Sequence, residues 1–476
     1  MGLPVQDNQM SIADTLGLGF MTFAFFLGAG NLIFPPFAGM LAGGNMPLAM
    51  LGFLITAVGL PLVGLIAVAK AQGKVMAMLP VFAATALAVS IYIIIGPAFA
   101  APRTGLVAYE IGAKPFIDDT TATFLLGSLE LNLSQLLYTM CFFTVTMLLA
   151  LFPGKLLDSV GKVLTPILLI LLVGLAASVM FLPASEVGQA VGDYQNHPLT
   201  KGILEGYNTM DTLASLMFGM LIIDILRKKG IEQPSAQTKY LIRAAFIAAA
   251  GLAFVYVSLF FLGATAGDIA IGAKNGGEIL TNYVTREFGD LGSVLLSSVV
   301  TLACLTTAVG LVSACSEFFN ELMPKLSYRF LVIFLSVICA VIANVGLSQL
   351  IAISIPVLMT IYPVAIALVV VTFLTAYFAN PQFAHRAVLS VALFFGIFDG
   401  LKVAVKGLTD ADGQAVNGLA QGFIHVVDVM SPVLSKLPLY EEGMAWLLPT
   451  IATIVLCLVF GRGRDRDRDR DQTAAA

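Results

Sequence analysis

The chain has 476 residues, of which 58% are apolar and 11% are charged, and its mean hydropathy is +0.94. This composition excludes a single water-soluble globule, because one soluble core could not bury so many apolar side chains, and it indicates a bilayer as the solvent. The small net charge of -4 argues against nucleic acid as a partner.

Apolar segments of about 20 residues, long enough to cross the hydrocarbon core as helix, recur along nearly the whole chain. Divided at Gly, Pro and charged residues, they predict an all-α polytopic membrane protein with about twelve transmembrane helices. The predicted spans are 14–42, 48–70, 76–102, 135–152, 156–182, 206–228, 238–266, 290–321, 329–345, 347–378, 386–405 and 443–460. No separate soluble domain is visible, so residues 1–460 are predicted to form one transmembrane domain.

Basic residues predict the orientation of these spans. With the N-terminus inside, 17 of the 25 Lys and Arg residues fall on the inner side. Basic inner loops and an even number of spans predict that both termini lie in the cytoplasm. The longer outer segments 103–134, 183–205, 267–289 and 406–442 are predicted to contain short helices along the membrane surface.

The first span, GFMTFAFFLGAGNLIFPPFAG, contains residues that oppose a continuous helix. Gly28, Gly30, Asn31, Pro35 and Pro36 fall near the predicted membrane centre. Gly costs about 1 kcal/mol and Pro about 3 kcal/mol relative to Ala inside a helix. Unwound backbone at this depth is tolerated where it lines a cavity, so a binding site is predicted here. The alternative is a Gly-rich packing face with a proline kink.

The sixth span, GYNTMDTLASLMFGMLIIDIL, carries Thr209, Asp211, Thr212, Ser215 and Gly219 in an apolar helix without proline. Five predicted spans precede it, so a repeated five-span unit would be inverted across the membrane. Paired broken helices in an inverted repeat are typical of substrate sites in secondary transporters.

The eighth span has adjacent hydroxyls at Thr306 and Thr307. Hydroxyl and carbonyl oxygens suit a hard monovalent cation such as Na+. The alternative is that both hydroxyls bond carbonyls of their own helix.

Ionisable residues inside spans are functional candidates by default. Asp211 lies nearest a break and is retained, whereas Asp224, Glu317 and Asp399 lie close to predicted helix ends. Arg103, at the end of the third span, is interpreted as an interfacial or gate residue rather than a substrate ligand. The five cysteines lack metal-site spacing and are predicted to be packing residues.

Four strings in chain order, FFLGAGNLIFPPF, GPAFAAPRTG, GYNTMDTLASLMFG and LACLTTAVGL, resemble the bacterial branched-chain amino acid:cation symporters, the BrnQ-type carriers. The resemblance implies import of leucine, isoleucine and valine driven by Na+. It also implies a LeuT-like fold of two inverted five-helix repeats with broken first and sixth helices. The repeats would cover about 14–182 and 206–378, followed by two further helices at about 386–460.

The resemblance also implies a set of site residues. The substrate carboxylate would bind the backbone N–H groups of Ala29, Gly30 and Asn31. The full predicted substrate set is Phe26, Gly28, Ala29, Gly30, Asn31, Tyr92, Ser215, Phe218 and Gly219, with Phe25 and Met217 as further candidates for an apolar cup. One Na+ would bind Ala24, Leu27, Ala303, Thr306 and Thr307, and a second would bind Asn31 and Thr209.

The expected function is therefore Na+-coupled import by alternating access across the bacterial inner membrane. A proton-coupled carrier or exchanger of another small amphipathic solute is the alternative. An ion channel is not favoured, because the sequence contains no repeated filter string. An enzyme is not favoured either, because the sequence contains no HExxH, no GxSxG and no pair of carboxylates on one helix face. No cofactor besides Na+ and no obligate protein partner is expected, and the charged tail 461–476 is predicted to be disordered in the cytoplasm.

Overall fold

The computed structural model describes residues 9–117, 122–126, 129–152, 157–181, 185–408 and 418–474. Within them the chain is helical almost throughout. The α-helices are α1 (Ile12–Phe26), α2 (Ala29–Ala42), α3 (Met46–Leu54), α4 (Leu60–Lys70), α5 (Val81–Ile93), α6 (Ala100–Val107), α7 (Leu133–Ala150), α8 (Thr165–Phe181), α9 (Pro198–Tyr207), α10 (Asp211–Lys228), α11 (Pro234–Ala264), α12 (Gly276–Leu322), α13 (Tyr328–Ile342), α14 (Leu347–Leu374), α15 (Pro381–Leu408), α16 (Gly418–Leu434) and α17 (Leu447–Ala474).

Short irregular helical turns connect or extend several of these helices. The π-helical turns are Ile55–Gly59, Ile94–Ala98, Ala108–Ala113 and Leu157–Leu164, and the 3-10 turns are Gly43–Asn45, Lys114–Phe116, Gly192–Tyr194, Gly267–Ala270 and Thr375–Tyr377. Polar groups freed in such turns must find partners inside the protein, since lipid offers none.

One antiparallel hairpin interrupts the helical pattern. β1 (Thr123–Leu126) pairs with β2 (Leu129–Asn132), with Thr123 opposite Asn132. The sequence predicts that the outer segment 103–134 contains short helices, and short helical turns are present at Ala108–Ala113 and Lys114–Phe116, whereas the hairpin is not predicted. Thr, Phe and Leu are found in strands as well as in helices, and the pairing of the two segments decides between them.

Eight helices in the described part of the chain are long and apolar enough to cross a membrane, or nine if the bent pair α9 and α10 forms one span. Each of the twelve predicted spans coincides with helix. Three of the predicted spans, however, contain apolar helices shorter than 18 residues, namely Ile12–Phe26, Tyr328–Ile342 and Leu447–Phe460. In addition, the single helical stretch Ala29–Lys70 covers parts of two predicted spans, 14–42 and 48–70. The architecture is therefore an all-α polytopic membrane protein, while the number twelve stays a prediction.

The described chain divides into two compact units. The first contains residues 1–73 and 89–350, and it holds both predicted helix breaks. Within it α2 packs closely against α11, because a Cβ on Gly263 would overlap the Pro36 carbonyl and one on Gly39 would overlap the Phe260 carbonyl. Small residues at such contacts let two helix backbones approach, which is how membrane helices pack without a hydrophobic driving force.

The second unit contains residues 74–88 and 351–476. Gly400 of α15 lies against Thr360 of α14, and α15 also packs against α16 and α17. A small apolar cluster of Leu434, Tyr440 and Ala445 fills the space beside α15. Helix α17 continues to Ala474, so residues 461–474, predicted to be disordered, are helical here. Extending an existing helix needs no new nucleus, which allows it to run past the apolar segment.

Candidate functional site

The first span breaks immediately before Gly28. Helix α1 ends at Phe26, and Leu27 has a non-helical ψ of 82°. Gly28 is extended, with φ -115° and ψ -159°, and α2 starts at Ala29. Pro35 and Pro36 lie inside α2 beyond its first turn, so the glycine region rather than the proline pair separates the two half-helices.

Asn31 fixes the start of the second half-helix. Its side-chain Oδ1 accepts the Gly28 N–H at 3.2 Å, closing the turn at the break. The first N–H groups of a helix have no acceptor within the helix, and together with the helix dipole they favour an anion. The N–H groups of Ala29 and Gly30 are thus placed to receive a carboxylate.

The sixth span is also broken. Helices α9 and α10 meet at a bend of 41° across a short turn at Asn208, Thr209 and Met210. Met210 has a left-handed φ of +65°, and the Thr209 hydroxyl donates to the Gly206 carbonyl at 2.9 Å. The turn therefore stops α9 and restarts the chain as α10 at Asp211.

A buried hydrogen-bond cluster joins the two breaks. Asp211 Oδ2 accepts hydrogen bonds from Asn31 Nδ2 at 2.7 Å and from the Tyr256 hydroxyl at 2.7 Å. Asn31 Nδ2 also contacts the Tyr256 hydroxyl. Asp211 and Asn31 are each only 2% exposed. One carboxylate thus ties α2, α10 and α11 together at the level of both breaks.

Arg103 approaches the first break from α6. Its guanidinium lies over the Phe34 ring, 5.4 Å from the centroid, and a Cβ on Gly30 would come within 2.7 Å of Arg103 Nη2. Arg103 is 3% exposed. The interfacial interpretation of Arg103 is therefore wrong, because α6 begins after a non-helical Gly96 and directs this side chain into the protein.

These elements line a pocket whose free volume is about 20 Å³. That is roughly the space of one water molecule, so an amino acid could enter only after the lining side chains or half-helices move apart. Its lining residues are Phe25, Phe26, Gly28, Ala29, Gly30, Asn31, Ile95, Ala100, Arg103, Thr104, Thr209, Met210, Asp211, Ala214, Phe218, Thr307 and Leu311.

The pocket combines a polar end with an aromatic one. Phe218 lies 5.3 Å, centroid to centroid, from both Phe25 and Phe26. These three rings, with Leu311, can cover an aliphatic side chain, while the helix breaks present polar groups. An amphipathic solute with a charged head and an apolar tail matches this division.

Four residues predicted for the substrate set or apolar cup do not line the pocket. Tyr92 stacks on Phe318 at 3.9 Å, and the Ser215 hydroxyl donates to the Thr212 carbonyl at 2.7 Å. Gly219 lies against the Val68 side chain, and Met217 is fully buried elsewhere in α10. The 3.6-residue helical period decides this, since Ala214 and Phe218 share the pocket face and Ser215, Met217 and Gly219 do not.

Hydrogen bonds link four of the five residues predicted for the first Na+ site, Ala24, Ala303, Thr306 and Thr307. The Ala24 carbonyl, in the last turn of α1, accepts hydrogen bonds from Thr306 at 3.1 Å and from Thr307 at 3.0 Å. Thr306 also donates to the Ala303 carbonyl at 3.0 Å. Both hydroxyls thus reach across to another helix rather than bonding only their own. Leu27 is fully buried at the break itself.

The predicted second Na+ residues are close to each other but already engaged. Thr209 and Asn31 both line the pocket, and Asn31 uses its oxygen for Gly28 and its nitrogen for Asp211. The sequence does not predict Tyr256, whose hydroxyl reaches the site from α11, and it predicts Arg103 nearer the membrane interface than the structure places it. The available signal for both was a polar group at membrane depth without an obvious role.

Comparison with known proteins identifies the family of this chain. A family model described as "Branched-chain amino acid transport protein" matches residues 11–464. The chain is 45% identical over 452 residues to the branched-chain amino acid transport system 2 carrier protein of Pseudomonas aeruginosa, covering 94% of this chain and 96% of that one. It is 41% identical over 453 residues to the permease BraB of Bacillus subtilis, covering 94% and 96%. With the permease BrnQ of Escherichia coli K12 it shares 39% identity over 458 residues, covering 96% and 97%.

A solved structure shares the fold. The crystal structure of MhsT in complex with L-phenylalanine superposes with a TM-score of 0.51 at 16% identity, covering 92% of this chain and 98% of that one. This likeness places the chain in the LeuT-like fold with broken first and sixth helices. The relatives are named carriers and permeases, so this chain is a transporter and not an enzyme. The chain belongs to the branched-chain amino acid transport protein family.

Proposed function

We propose that this protein is a Na+-coupled symporter that imports leucine, isoleucine and valine across the bacterial inner membrane by alternating access. The observation that carries the proposal is the meeting of two broken helices at one buried pocket, with Thr307 in its wall and the Ala24 carbonyl bonded to the hydroxyls of Thr306 and Thr307. Broken helices at a shared site are the usual binding architecture of secondary transporters.

The pocket accounts for the substrate class. A carboxylate would bind the N–H groups of Ala29 and Gly30, where the dipole of α2 favours negative charge. A branched aliphatic side chain would lie among Phe25, Phe26 and Phe218. The relatives named as branched-chain carriers, and the amino acid bound by MhsT, support this class of ligand.

The oxygen cluster supports Na+ as the coupling ion. Carbonyl and hydroxyl oxygens are the hard ligands that such a cation prefers, and the cluster joins the end of α1 to α12. Na+ bound there would hold α1 against α12 and order the break that forms the carboxylate site. Coupling then follows because each ligand stabilises the state that the other one needs.

Transport by proteoliposomes tests the proposal directly. Labelled leucine uptake would be compared under an inward Na+ gradient and a matched K+ gradient, with isoleucine, valine and alanine as competitors. We expect accumulation that requires Na+ and is blocked by isoleucine and valine but not by alanine. Uptake that ignores Na+ would refute the coupling ion, and absence of leucine uptake would refute the substrate class.

The double variant Thr306→Val and Thr307→Val tests the ion site. It removes both hydroxyls with little change of shape, so the Na+ concentration for half-maximal uptake should rise while the protein still folds. Thr144→Val is the matched control, since the Thr144 hydroxyl donates to the Met140 carbonyl of its own helix at 2.7 Å. An unchanged Na+ dependence in the double variant would refute the assignment.

Proton coupling is the second candidate, and the buried Asp211 carboxylate at the pocket favours it. A carboxylate that lines a transport pathway can carry a proton between states. Leucine uptake driven by an inward proton gradient in Na+-free buffer would establish this mode. Comparing leucine uptake under a Na+ gradient with uptake under a proton gradient therefore separates the two mechanisms.

A further inference from the structure

We propose that the start of α11 binds an anionic phospholipid, with the lipid phosphate on Lys239 and Arg243 and an acyl chain along the helix face that follows them. This inference goes beyond the proposed function, because it concerns a separate surface and depends on neither the substrate nor the coupling ion. It starts from an open pocket with a free volume of about 380 Å³, which Lys239, Tyr240 and Arg243 line together with Gln9 and Met10.

The charged groups of this pocket are both positive. Lys239 and Arg243 are exposed, and no acidic residue is among the described residues that line the pocket. Within the described part of the chain, neither side chain forms an ion pair with a carboxylate. Two such cations one helical turn apart attract an anion, and a guanidinium can hold a phosphate with two parallel hydrogen bonds.

Tyr240 contributes a hydroxyl and a ring between the two basic residues. Its hydroxyl accepts the Met10 N–H at 3.1 Å, which leaves the hydroxyl proton for an anion in the pocket. The Arg243 guanidinium lies over the Tyr240 ring, 6.0 Å from the centroid, so the ring supports it from one side. The pocket therefore offers a phosphate two cations and one hydroxyl donor.

The pocket lies at the depth of lipid headgroups. After Arg243, α11 continues through residues 244–264, which include no charged side chain. At about 1.5 Å per residue this segment spans roughly 30 Å, the thickness of the hydrocarbon core. Lys239 and Arg243 therefore lie at one edge of that core, where the lipid phosphates are, and tyrosine is enriched at the same level. The sequence predicts this edge to be the cytoplasmic one.

The helix face that carries the two cations continues as an apolar stripe. Phe246, Phe254 and Val257 are 57%, 42% and 41% exposed. Lys239, Arg243 and these three residues follow one another at helical spacing, so all five lie on one side of α11. A surface that is basic at one end and apolar along the rest matches a phospholipid, whereas inorganic phosphate matches only the basic end.

A lipid in this pocket would also contact the start of the first span. Met10 lines the pocket and donates to Tyr240, and α1 begins at Ile12. Helix α1 packs closely on α11, since a Cβ on Gly19 would lie 2.6 Å from the Ile247 Cδ1 atom. Bound lipid would therefore stabilise α1, the half-helix that leads to the first break, in its position beside α11.

Thermal unfolding of the purified full-length protein in detergent tests the binding. The probes are phosphatidylglycerol, phosphatidylcholine, inorganic phosphate and glycerophosphoglycerol, which is the headgroup without acyl chains. We expect phosphatidylglycerol to raise the unfolding temperature of the wild type at concentrations at which the other three do not. The double variant Lys239→Gln and Arg243→Gln should need about 30-fold more phosphatidylglycerol for the same rise, as expected for two basic residues at an anionic lipid surface.

Lys325→Gln combined with Arg329→Gln is the matched control. These two residues are also exposed and four positions apart, they lie on the same predicted side of the membrane, and they do not line this pocket. The control variant loses the same charge and should respond to phosphatidylglycerol as the wild type does. An equal loss of response in both double variants would show only a general attraction between basic residues and anionic lipid, and it would overturn the proposal.

The wild type and the single variants decide the matter if the double variant does not fold. Lys239→Gln and Arg243→Gln alone should each raise the required phosphatidylglycerol concentration about fivefold. An equal response of the wild type to phosphatidylcholine would show that the lipid charge is not recognised. An equal response to inorganic phosphate or glycerophosphoglycerol would show an anion site without a lipid, and either result would overturn the proposal. Because the measurement is of unfolding and not of uptake, its outcome is independent of the proposed substrate and coupling ion.

Discussion

The two helix breaks are made by different means. At the first break, Gly28 supplies an extended backbone and no side chain, and Gly30 allows a close approach. At the second, the residues of the turn all carry side chains, and Met210 adopts a left-handed conformation that costs roughly 1–2 kcal/mol for a non-glycine residue. The first break is encoded in its own residues, whereas the second must be imposed by contacts elsewhere.

Those contacts are visible on both sides of the second break. Before it, α9 packs onto α3 so closely that a Cβ on Gly202 would overlap the Ala49 carbonyl. After it, the Thr212 hydroxyl donates to the Thr56 carbonyl at 3.1 Å, and Asp211 is held by its two donors. The surrounding helices therefore stabilise a turn that the local sequence would not form.

The packing of α2, the second half-helix of the first span, gives the largest expected effect. In Gly263→Ala the new methyl group would overlap the Pro36 carbonyl of α2. We expect a loss of about 3 kcal/mol or more in the free energy of unfolding, because neither backbone can move aside, and a large drop in thermal stability. Gly174→Ala in α8 is the control, since a Cβ there meets nothing within 4 Å. Equal stability of the two variants would show that α11 does not hold α2.

Tyr256→Phe should have the second-largest effect. It tests the hydrogen-bond cluster around Asp211 that joins the two breaks. The variant removes a hydroxyl that donates to a buried carboxylate, which costs about 1–3 kcal/mol. Leucine affinity should fall about tenfold as Asp211 loses its orientation. Scintillation proximity binding measures this, with the exposed Tyr377→Phe as control. Full affinity in Tyr256→Phe would mean that Asn31 alone fixes the carboxylate.

Thr209→Val tests the second break itself. The substitution keeps the shape and removes the hydroxyl that donates to the Gly206 carbonyl, so stability should fall by about 1 kcal/mol. Chemical denaturation or thermal unfolding would detect that loss. If Thr209 also binds Na+, the Na+ concentration for half-maximal uptake should rise in the same variant, and an unaltered value would remove Thr209 from the ion site.

The smallest effect is expected far from both breaks, at the start of α1. Lys162 contacts Asp14 at 2.5 Å and Asp158 at 3.0 Å, with about a third or more of each side chain exposed. Exposed ion pairs contribute about 0.2–1 kcal/mol, so Lys162→Gln should lower stability only slightly, and less in high salt. A loss as large as that of Gly263→Ala would show that this end, rather than the break, anchors α1.

The two predicted breaks differ in how well sequence could locate them. Gly28 and Gly30 indicate the position of the first break, whereas Pro35 and Pro36, which the sequence also associates with the break, lie inside α2. The second was inferred mainly from its place after five spans, and its turn residues gave no strong local signal. Helix propensity depends on a residue and its neighbours in sequence. It therefore cannot predict a turn that is stabilised by contacts with helices distant in sequence.

The candidate site shows the same limit. Asn31, Gly30, Thr307 and Phe218, which the sequence singles out as binding candidates, line the pocket, because the backbone breaks and helix faces that place them are contained in the sequence pattern. Tyr92 and Ser215 do not, since their positions depend on helix rotation, which a pattern fixes only to within a residue or so. Tyr256 entered the site from α11, a helix with no motif of its own.

The sequence alone determined that the chain is a polytopic membrane protein, that its spans are helical and where the first break lies. Each of these follows from apolar segment length or from the backbone limits of Gly and Pro, which act locally. Tertiary structure alone decided that Arg103 is buried beside Gly30 and that Asp211 joins α2 to α10 and α11. Charges at membrane depth are positioned by the helices packed around them, and that packing is a property of the whole fold.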